Sequence, residues 1–496
     1  MKHIRIDPIT RLEGHGKIEI FLNDEGDVAN AYFVIPELRG FERFCVGRPA
    51  SEMPRITNRI CGVCPEAHHM AATKALDVLY HVDPPPAAKK LRELFYSAFF
   101  VADHTTHFYA LGGPDFVVGP DAPPAERNIL GVVRKVGLEI GRQVIDARMR
   151  NHHVIKMLGG RGVHPETGLA GGWSKAVSEE ERQEIEQIAR RNVEFGEFSL
   201  KVFADIVLGN KEYVDMVLSD AYTHRTYSMG TVDAKNQVNF YDGMIRVVDP
   251  DGAEFAKYPP RDYAKHVAEH VEPWTYLKFP FLKAVGWKGL VDGKESGVYT
   301  ATPLSRLNVT DGMATPKAQA AYEKMYETLG SKRLGARYQP VHHRLATHWA
   351  RLVELLYAGE RMLELATDPE ITEPNVRTPV TATPDEGVGC VEAPRGTLTH
   401  HYWTDERGIL TKVNLIVGTT TNYAPIAMSV KKAAQSLIQK GTVVTNGLLN
   451  RVEMAFRAYD PCFGCATHSL PGQMPLELVI YDAQRREIER LAQYLP

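Results

Sequence analysis

No window of about 18 uninterrupted apolar residues occurs in the sequence, so no segment is expected to cross a membrane as a helix. Net charge is nearly missing too: 58 lysines and arginines face 61 aspartates and glutamates, a formal balance of -3. That balance creates no field to steer nucleic acid or an anionic membrane, and neither is expected as a partner. Repeats, low-complexity runs and long linkers are lacking, which excludes a solenoid or a string of separate modules. The opening MKHIRIDPITRLEGHGKIEI has no apolar signal core, twin arginine or transit-peptide character, so a cytoplasmic chain is expected unless a partner carries it. Six cysteines among 496 residues are too few for a disulfide scaffold.

What is present is a chain that is 44% hydrophobic, enough for a large core. KIEIFLN, DEG and DVANAYFVI read as strand, turn and strand. Helical signals then dominate. PEAHHMAATKALDVLYHV starts on Pro65, a residue suited to a first helical position, and stops before Pro84–Pro86. LRELFYSAFFVADHTTHFYALG is apolar on nearly every face, which predicts a buried helix. SEEERQEIEQIARRNVEFGEFSLKVFADIVLG opens with a capping box, Ser178 with Glu181. VHHRLATHWARLVELLYAGERMLELATD and TNGLLNRVEMAFRAYD add two more helical periods, while QVNFYDGMIRVVDPDGAEF and TLTHHYWTDERGILTKVNLIVG read as hairpins, the second turning at ERG. The expected fold is α+β and predominantly helical, with a long central helix bundle, peripheral β-hairpins and small sheets.

Four cysteines fall into two C-x-x-C pairs: RICGVCPEAHH carries Cys61, Cys64 and His68, and DPCFGCATH carries Cys462, Cys465 and His468. One reading is a structural zinc held by four thiolates. Zinc ribbons, however, close over roughly 15–20 residues, whereas these pairs stand roughly 400 apart. Four thiolates from distant segments make a soft site that favours nickel, copper(I), iron–sulfur or zinc, and one compact unit must then bring both chain ends together at the metal. Cys64 directly precedes Pro65 and a helix, whose positive end favours the thiolate. Gly62 and Gly464 would let backbone approach a bulky centre. Each histidine trails its pair, where a donor to a sulfur would sit.

R-x-C-G-x-C-x-x-x-H followed by D-P-C-x-x-C-x-x-H resembles the paired signatures of the nickel-iron hydrogenase large subunit. TRLEGHG at Thr10–Gly16, RGFE at Arg39–Glu42, GGRGVHP at Gly159–Pro165, EAPRG at Glu392–Gly396 and GTTTN at Gly418–Asn422 extend the resemblance along nearly the whole chain. The last departs from the family's more usual P-T-T-W-N, and Thr419 is carried over from it. The motifs look most like the cytoplasmic branch of methylviologen-reducing and NAD-linked enzymes. The resemblance implies reversible heterolytic oxidation of H2. Cys61 and Cys462 would be terminal nickel ligands, and Cys64 and Cys465 would bridge nickel to an iron carrying cyanide and carbon monoxide. Glu13 would relay the proton from Cys462. Arg395 would sit over the open metal position, held by Asp115 and Asp460, with Pro394 and Arg395 also contacting a cyanide. A helix-terminal cap is the competing reading of Asp115. Glu42 and His468 would hold a magnesium, or an iron, although from spacing alone an ion pair of Glu42 with Arg39 or Arg43 is the preferred reading of that carboxylate. Cys45 and Cys390 stand alone, so the chain has no place for iron–sulfur clusters. The expected partners are further electron-transfer subunits and a cluster-bearing small subunit. A hydrogen sensor, or a non-catalytic relative of the kind found in respiratory complex I, are the alternatives; the latter kind lacks the four cysteines.

After His468 the chain continues SLPGQMPLELVIYDAQRREIERLAQYLP. PLELVIYD alternates like a strand and AQRREIERLAQYL carries a helical stripe. They can be read as ordinary parts of the fold. The resemblance implies instead a domain over 1–468 and an extension over 469–496 that a maturation protease removes once nickel-insertion factors have loaded the site.

Overall fold

The helix Pro86–Thr106 is buried at nearly every position from Leu91 to Thr105, and it accordingly runs through the middle of the molecule. In the computed structural model, which describes residues 3–467, 476–482, 484 and 486–493, it packs beside Leu138–Gly159 and Thr347–Thr367, and Glu179–Phe203 completes the bundle. The expected capping box is formed: the Glu181 N–H donates to Ser178 Oγ at 3.2 Å, and the Ser178 N–H donates to Glu181 Oε2 at 3.1 Å. Pro86–Thr106 ends in a widened π-type turn, His107–Gly112, before the short helix Pro114–Val117.

Small sheets surround the bundle. His3–Ile6, Lys17–Leu22 and Val28–Val34 form an antiparallel sheet at the start. Glu386–Ala393, Gly396–Thr404 and Leu410–Ile416 form a second, whose first turn is Pro394–Arg395. The helix Pro65–Leu79 lies flat on this sheet because the facing strand offers glycine. A Cβ on Gly389 would stand 2.1 Å from the Ala71 carbonyl oxygen, and one on Gly387 would stand 2.3 Å from that of Ala75.

The two chain ends meet. Glu13 bridges Cys462 as a parallel pair, with the Phe463 N–H donating to the Glu13 carbonyl at 2.9 Å and the Arg39 N–H to the Thr467 carbonyl at 2.8 Å. Two local expectations fail. QVNF is not a regular strand, since Val238 only bridges Val232, and the hairpin is built from Met244–Val248 and Glu254–Tyr258 instead. Beyond the cysteines, Leu476–Tyr481 is the expected strand, but Glu487–Gln493 is a second strand paired antiparallel to it rather than a helix. The Asp482 carboxylate accepts the N–H groups of Gln484 at 2.9 Å and Arg486 at 2.8 Å, closing a turn that sets the two segments side by side. A ladder of interstrand bonds then outweighs the weak intrinsic preference of a short isolated helix.

Candidate metal centre

Cys64 ends the loop that enters Pro65–Leu79, and Cys462 caps the short helix Phe463–Ala466. Folding the ends together places all four sulfurs within 4.8 Å of one another, buried. Cys61 Sγ is 3.2 Å from Cys462 Sγ, Cys64 Sγ 3.1 Å from Cys465 Sγ, and Cys462 Sγ 3.0 Å from Cys465 Sγ. Four thiols so close cannot all ionise by themselves. Hydrogen bonding from Cys462, then from Cys465 and Cys64, pulls the Cys61 thiol far down. Cys462 and Cys465 lower Cys64 in the same way, but its bond to Cys61 and its burial win and push it up to about 11. Burial first, with hydrogen bonding to neighbouring sulfurs, drives Cys462 well above the ordinary range. Cations held here would take the place of those protons, which is how a thiolate metal site binds. The donor set therefore fits a soft metal centre.

Arg39 ties the two cysteine segments together. Its guanidinium donates to the Ile60 carbonyl, just before Cys61, and to the Gly464 carbonyl at 2.9 Å. Glu13 comes closest among the acidic groups: its Oε2 accepts from Cys462 Sγ and from the Gly464 N–H, each at 2.9 Å. Burial, then the nearby Cys61 charge, raises the Glu13 carboxyl from its ordinary value. The two glycines expected to admit a bulky centre divide here. A Cβ on Gly464 would meet Glu13 Oε1 at 2.5 Å, so that glycine makes room for the carboxylate, whereas a Cβ on Gly62 would meet no protein atom within 4 Å.

Arg395, in the hairpin turn, is buried between two carboxylates. Both Nη atoms reach Asp103 Oδ1 at 3.2 Å, and Nη2 lies 3.0 Å from Asp460 Oδ2. Asp460 thus stands where the sequence reading put it, but Asp115 does not. Asp115 lies in the short helix beyond the π-type turn and pairs with Arg11, with Arg457 at 3.2 Å and with Asn450 at 3.0 Å, while Asp103, in Pro86–Thr106, takes the expected place beside Arg395. Burial works against the Arg395 charge, yet Asp103 and Asp460 outweigh it and hold the guanidinium well above its ordinary value. Two carboxyls share one guanidinium, so burial pushes Asp460 up to about 7 even though Arg395 pulls it down. The Nε of Arg395 has no hydrogen-bonding partner among the described residues, as suits a group that faces a bound cofactor.

The same turn is held from behind. Arg306 donates to the Ala393 and Pro394 carbonyls, each at 3.0 Å, and pairs with Glu354 at 2.6 Å, which in turn meets His104 at 2.9 Å. Thr419 serves the backbone, accepting the Cys462 N–H at 2.9 Å. His68 Nε2 is 3.4 Å from Cys465 Sγ. Glu42 accepts the Leu415 N–H at 2.7 Å, and Lys278 stands 3.9 Å away. Burial raises the Glu42 carboxyl, and Lys278 and the Leu415 N–H offset part of that rise. Its expected companion His468 lies outside the described residues. Sequence reasoning missed Asp103 and Arg306, and it offered Arg39 only as an ion-pair partner of Glu42. An aspartate inside a helix apolar on nearly every face was the available signal for Asp103, because a buried charge needs a partner.

Residues 39–128 and 142–468 match the family model described as nickel-dependent hydrogenase, and residues 3–38 match one described as HoxL-like. An iron-sulfur subunit of the F420-non-reducing hydrogenase of Archaeoglobus profundus is 50% identical over 494 residues, with 100% of each chain covered. The NAD-reducing hydrogenase HoxS subunit beta of Cupriavidus necator is 36% identical, over 98% of this chain and 99% of that one. Among solved structures, an NAD+-reducing [NiFe]-hydrogenase in the H2-reduced state superimposes with a TM-score of 0.86 at 36% identity, covering 94% of this chain and 100% of that chain.

Proposed function

The chain belongs to the nickel-dependent hydrogenase family, and on that premise we propose how its side chains divide the work. It is the large, catalytic subunit of a nickel-iron hydrogenase, an oxidoreductase acting on H2. The observation that carries the reading is the group of four buried sulfurs drawn from opposite ends of the chain, with a carboxylate 2.9 Å from one of them. Cys61, Cys64, Cys462 and Cys465 hold nickel and an iron bearing cyanide and carbon monoxide. Bound there, that pair supplies the cleavage of H2 and the change of oxidation state. Glu13 takes the proton from Cys462 Sγ, and the Gly464 N–H keeps the carboxylate aimed at the sulfur. Its burial supports this role, because a carboxyl of raised pKa can hold a proton in passing.

Arg395 presents a fixed positive charge over the site, and Asp103 and Asp460 keep the guanidinium from swinging away. The Pro394 and Arg395 turn supports a cyanide contact, and Thr419 fixes the Cys462 backbone. Glu42 and His468 hold a magnesium or iron ion that braces the C-terminal segment. Electrons leave first to an iron–sulfur small subunit, then to further electron-transfer subunits. Relatives that are themselves named as subunits of F420-non-reducing and NAD-reducing hydrogenases support that route. A cytoplasmic setting agrees with cysteines that form no disulfide among the described residues. No helix among the described residues is long and apolar enough to cross a membrane. Infrared spectroscopy with metal analysis of the purified complex tests the assignment. Bands of metal-bound cyanide and carbon monoxide with about one nickel per chain are expected; stoichiometric zinc without those bands overturns it.

A further inference from the structure

Behind Cys465 the buried polar groups form a line that the proposed chemistry does not use. His68 Nε2 is 3.4 Å from Cys465 Sγ, His68 Nδ1 is 3.1 Å from His400 Nε2, and His400 Nδ1 is 2.6 Å from the Tyr402 hydroxyl. All four residues are buried, and Tyr402 has no exposed surface. The line exists because His400 and Tyr402, two positions apart, share one face of the strand Gly396–Thr404, while the flat seat of Pro65–Leu79 on that sheet brings His68 within reach.

We propose that Tyr402 and His400 are positioning residues that drive the His68 N–H onto Cys465 and so set how much electron density that sulfur gives to the metals. A metal-bound thiolate has no proton to donate, so His68 must donate from Nε2. A neutral imidazole that donates from Nε2 can only accept at Nδ1. His400 therefore donates from Nε2 and accepts at Nδ1, and Tyr402 supplies the last proton. Burial pushes the Tyr402 phenol well above its ordinary value, so it keeps that proton to share. Every bond then points at the sulfur, and each one polarises the next. Thr57, whose hydroxyl donates to the Met53 carbonyl at 2.7 Å, adjoins Tyr402 and is the other available receiver of the phenolic proton. A thiol at Cys465 could send the bonds the opposite way, toward Tyr402 and Thr57. The metal fixes the direction. A purely structural network joining helix to sheet would be satisfied by either direction and would leave the metals unaffected.

The test uses the assembled holoenzyme. Tyr402→Phe and His400→Leu each weaken the hydrogen bond on the sulfur, leaving the iron richer in electrons. The carbon monoxide band should move to lower wavenumber, further in His400→Leu than in Tyr402→Phe. His400→Gln, which keeps an N–H donor, should bring it back toward the unmutated position. Bands that stay in place in both disrupting variants at undiminished metal content overturn the proposal. Nitrogen NMR of histidine-labelled, unmutated holoenzyme decides the matter without any variant. His68 and His400 are both expected to carry a proton on Nε2 alone; a proton on His400 Nδ1, or on both His68 nitrogens, overturns the relay. The infrared arm rests on the nickel-iron reading, but the NMR arm needs only a metal on Cys465. Missing carbon monoxide bands in the unmutated complex would therefore count against that reading, while the NMR result still decides the relay.

Discussion

Glu13 and Gly464 act as one device. The carboxylate receives a sulfur proton on one side and an N–H on the other through the same oxygen, and the missing Cβ of Gly464 is what lets it come so near. Glu13→Gln preserves the shape and the Gly464 contact but cannot take up a proton. Metal content should be unchanged while hydrogen–deuterium exchange falls by roughly a hundredfold to ten-thousandfold, the usual worth of a positioned acid or base; exchange at the unmutated rate would remove Glu13 from the route. Gly464→Ala should lower the same exchange with the carboxylate still present, since its Cβ would stand 2.5 Å from Glu13 Oε1. Cys64→Ser exchanges a soft ligand for a hard one, and loss of nickel and iron by elemental analysis is the expected outcome. At this scale the sequence was legible where chemistry is carried by motif. The four cysteines, Glu13, Arg395 and Asp460 could all be named in advance because each lies inside a recognisable string. Asp103 lies in no such string: an aspartate in a largely apolar helix signals only that a partner must exist, and which partner is decided by the turn Pro394–Arg395 arriving beside it from a distant sheet.

The helix Pro65–Leu79 and the sheet beneath it decide where three of the site's groups stand, Cys64, His68 and Arg395. Their close contact rests on glycine in the strand Glu386–Ala393. Gly389→Ala would force a Cβ to within 2.1 Å of the Ala71 carbonyl oxygen, and overpacking of that kind should cost about 3 kcal/mol. A lowered thermal midpoint accompanied by displaced infrared bands is the expected signature, because lifting the helix also moves His68. Ser178→Ala provides the contrast. Removing that cap should cost about 1 kcal/mol and leave the spectrum as it was, since the capping box lies at the exposed start of Glu179–Phe203. The long helices were readable because caps and the 3.6-residue period are local properties. The segment Glu487–Gln493 misled for the complementary reason: its apolar spacing suits a helix, but the turn at Asp482 delivers it to a neighbouring strand, and pairing partners are not written in the period of either segment.

For the molecule as a whole the governing fact is that its closure and its metal site are the same structure. Thr10 donates its N–H to Glu453 at 2.8 Å, Glu13 meets Cys462, and Arg39 donates its N–H to Thr467, so the first forty residues clasp the segment that carries the second cysteine pair. The clasp is shut and all four sulfurs are buried with the strands Leu476–Tyr481 and Glu487–Gln493 still attached, so a chain that has closed leaves metals little access. We propose that the extension from 469 onward slows closing during folding rather than preventing it, and that it is removed at residue 468 after loading. Intact-mass measurement on active complex should therefore give a chain ending at His468, and turnover by protein that retains the extension would refute the removal. The converse is sharper. A gene truncated after His468 yields a chain free to close at once, and it should fold to a compact product with little nickel when expressed beside the same insertion factors. Full nickel content in that truncated chain would show that loading needs no open state, and the extension would then have to be explained by something other than the timing of closure.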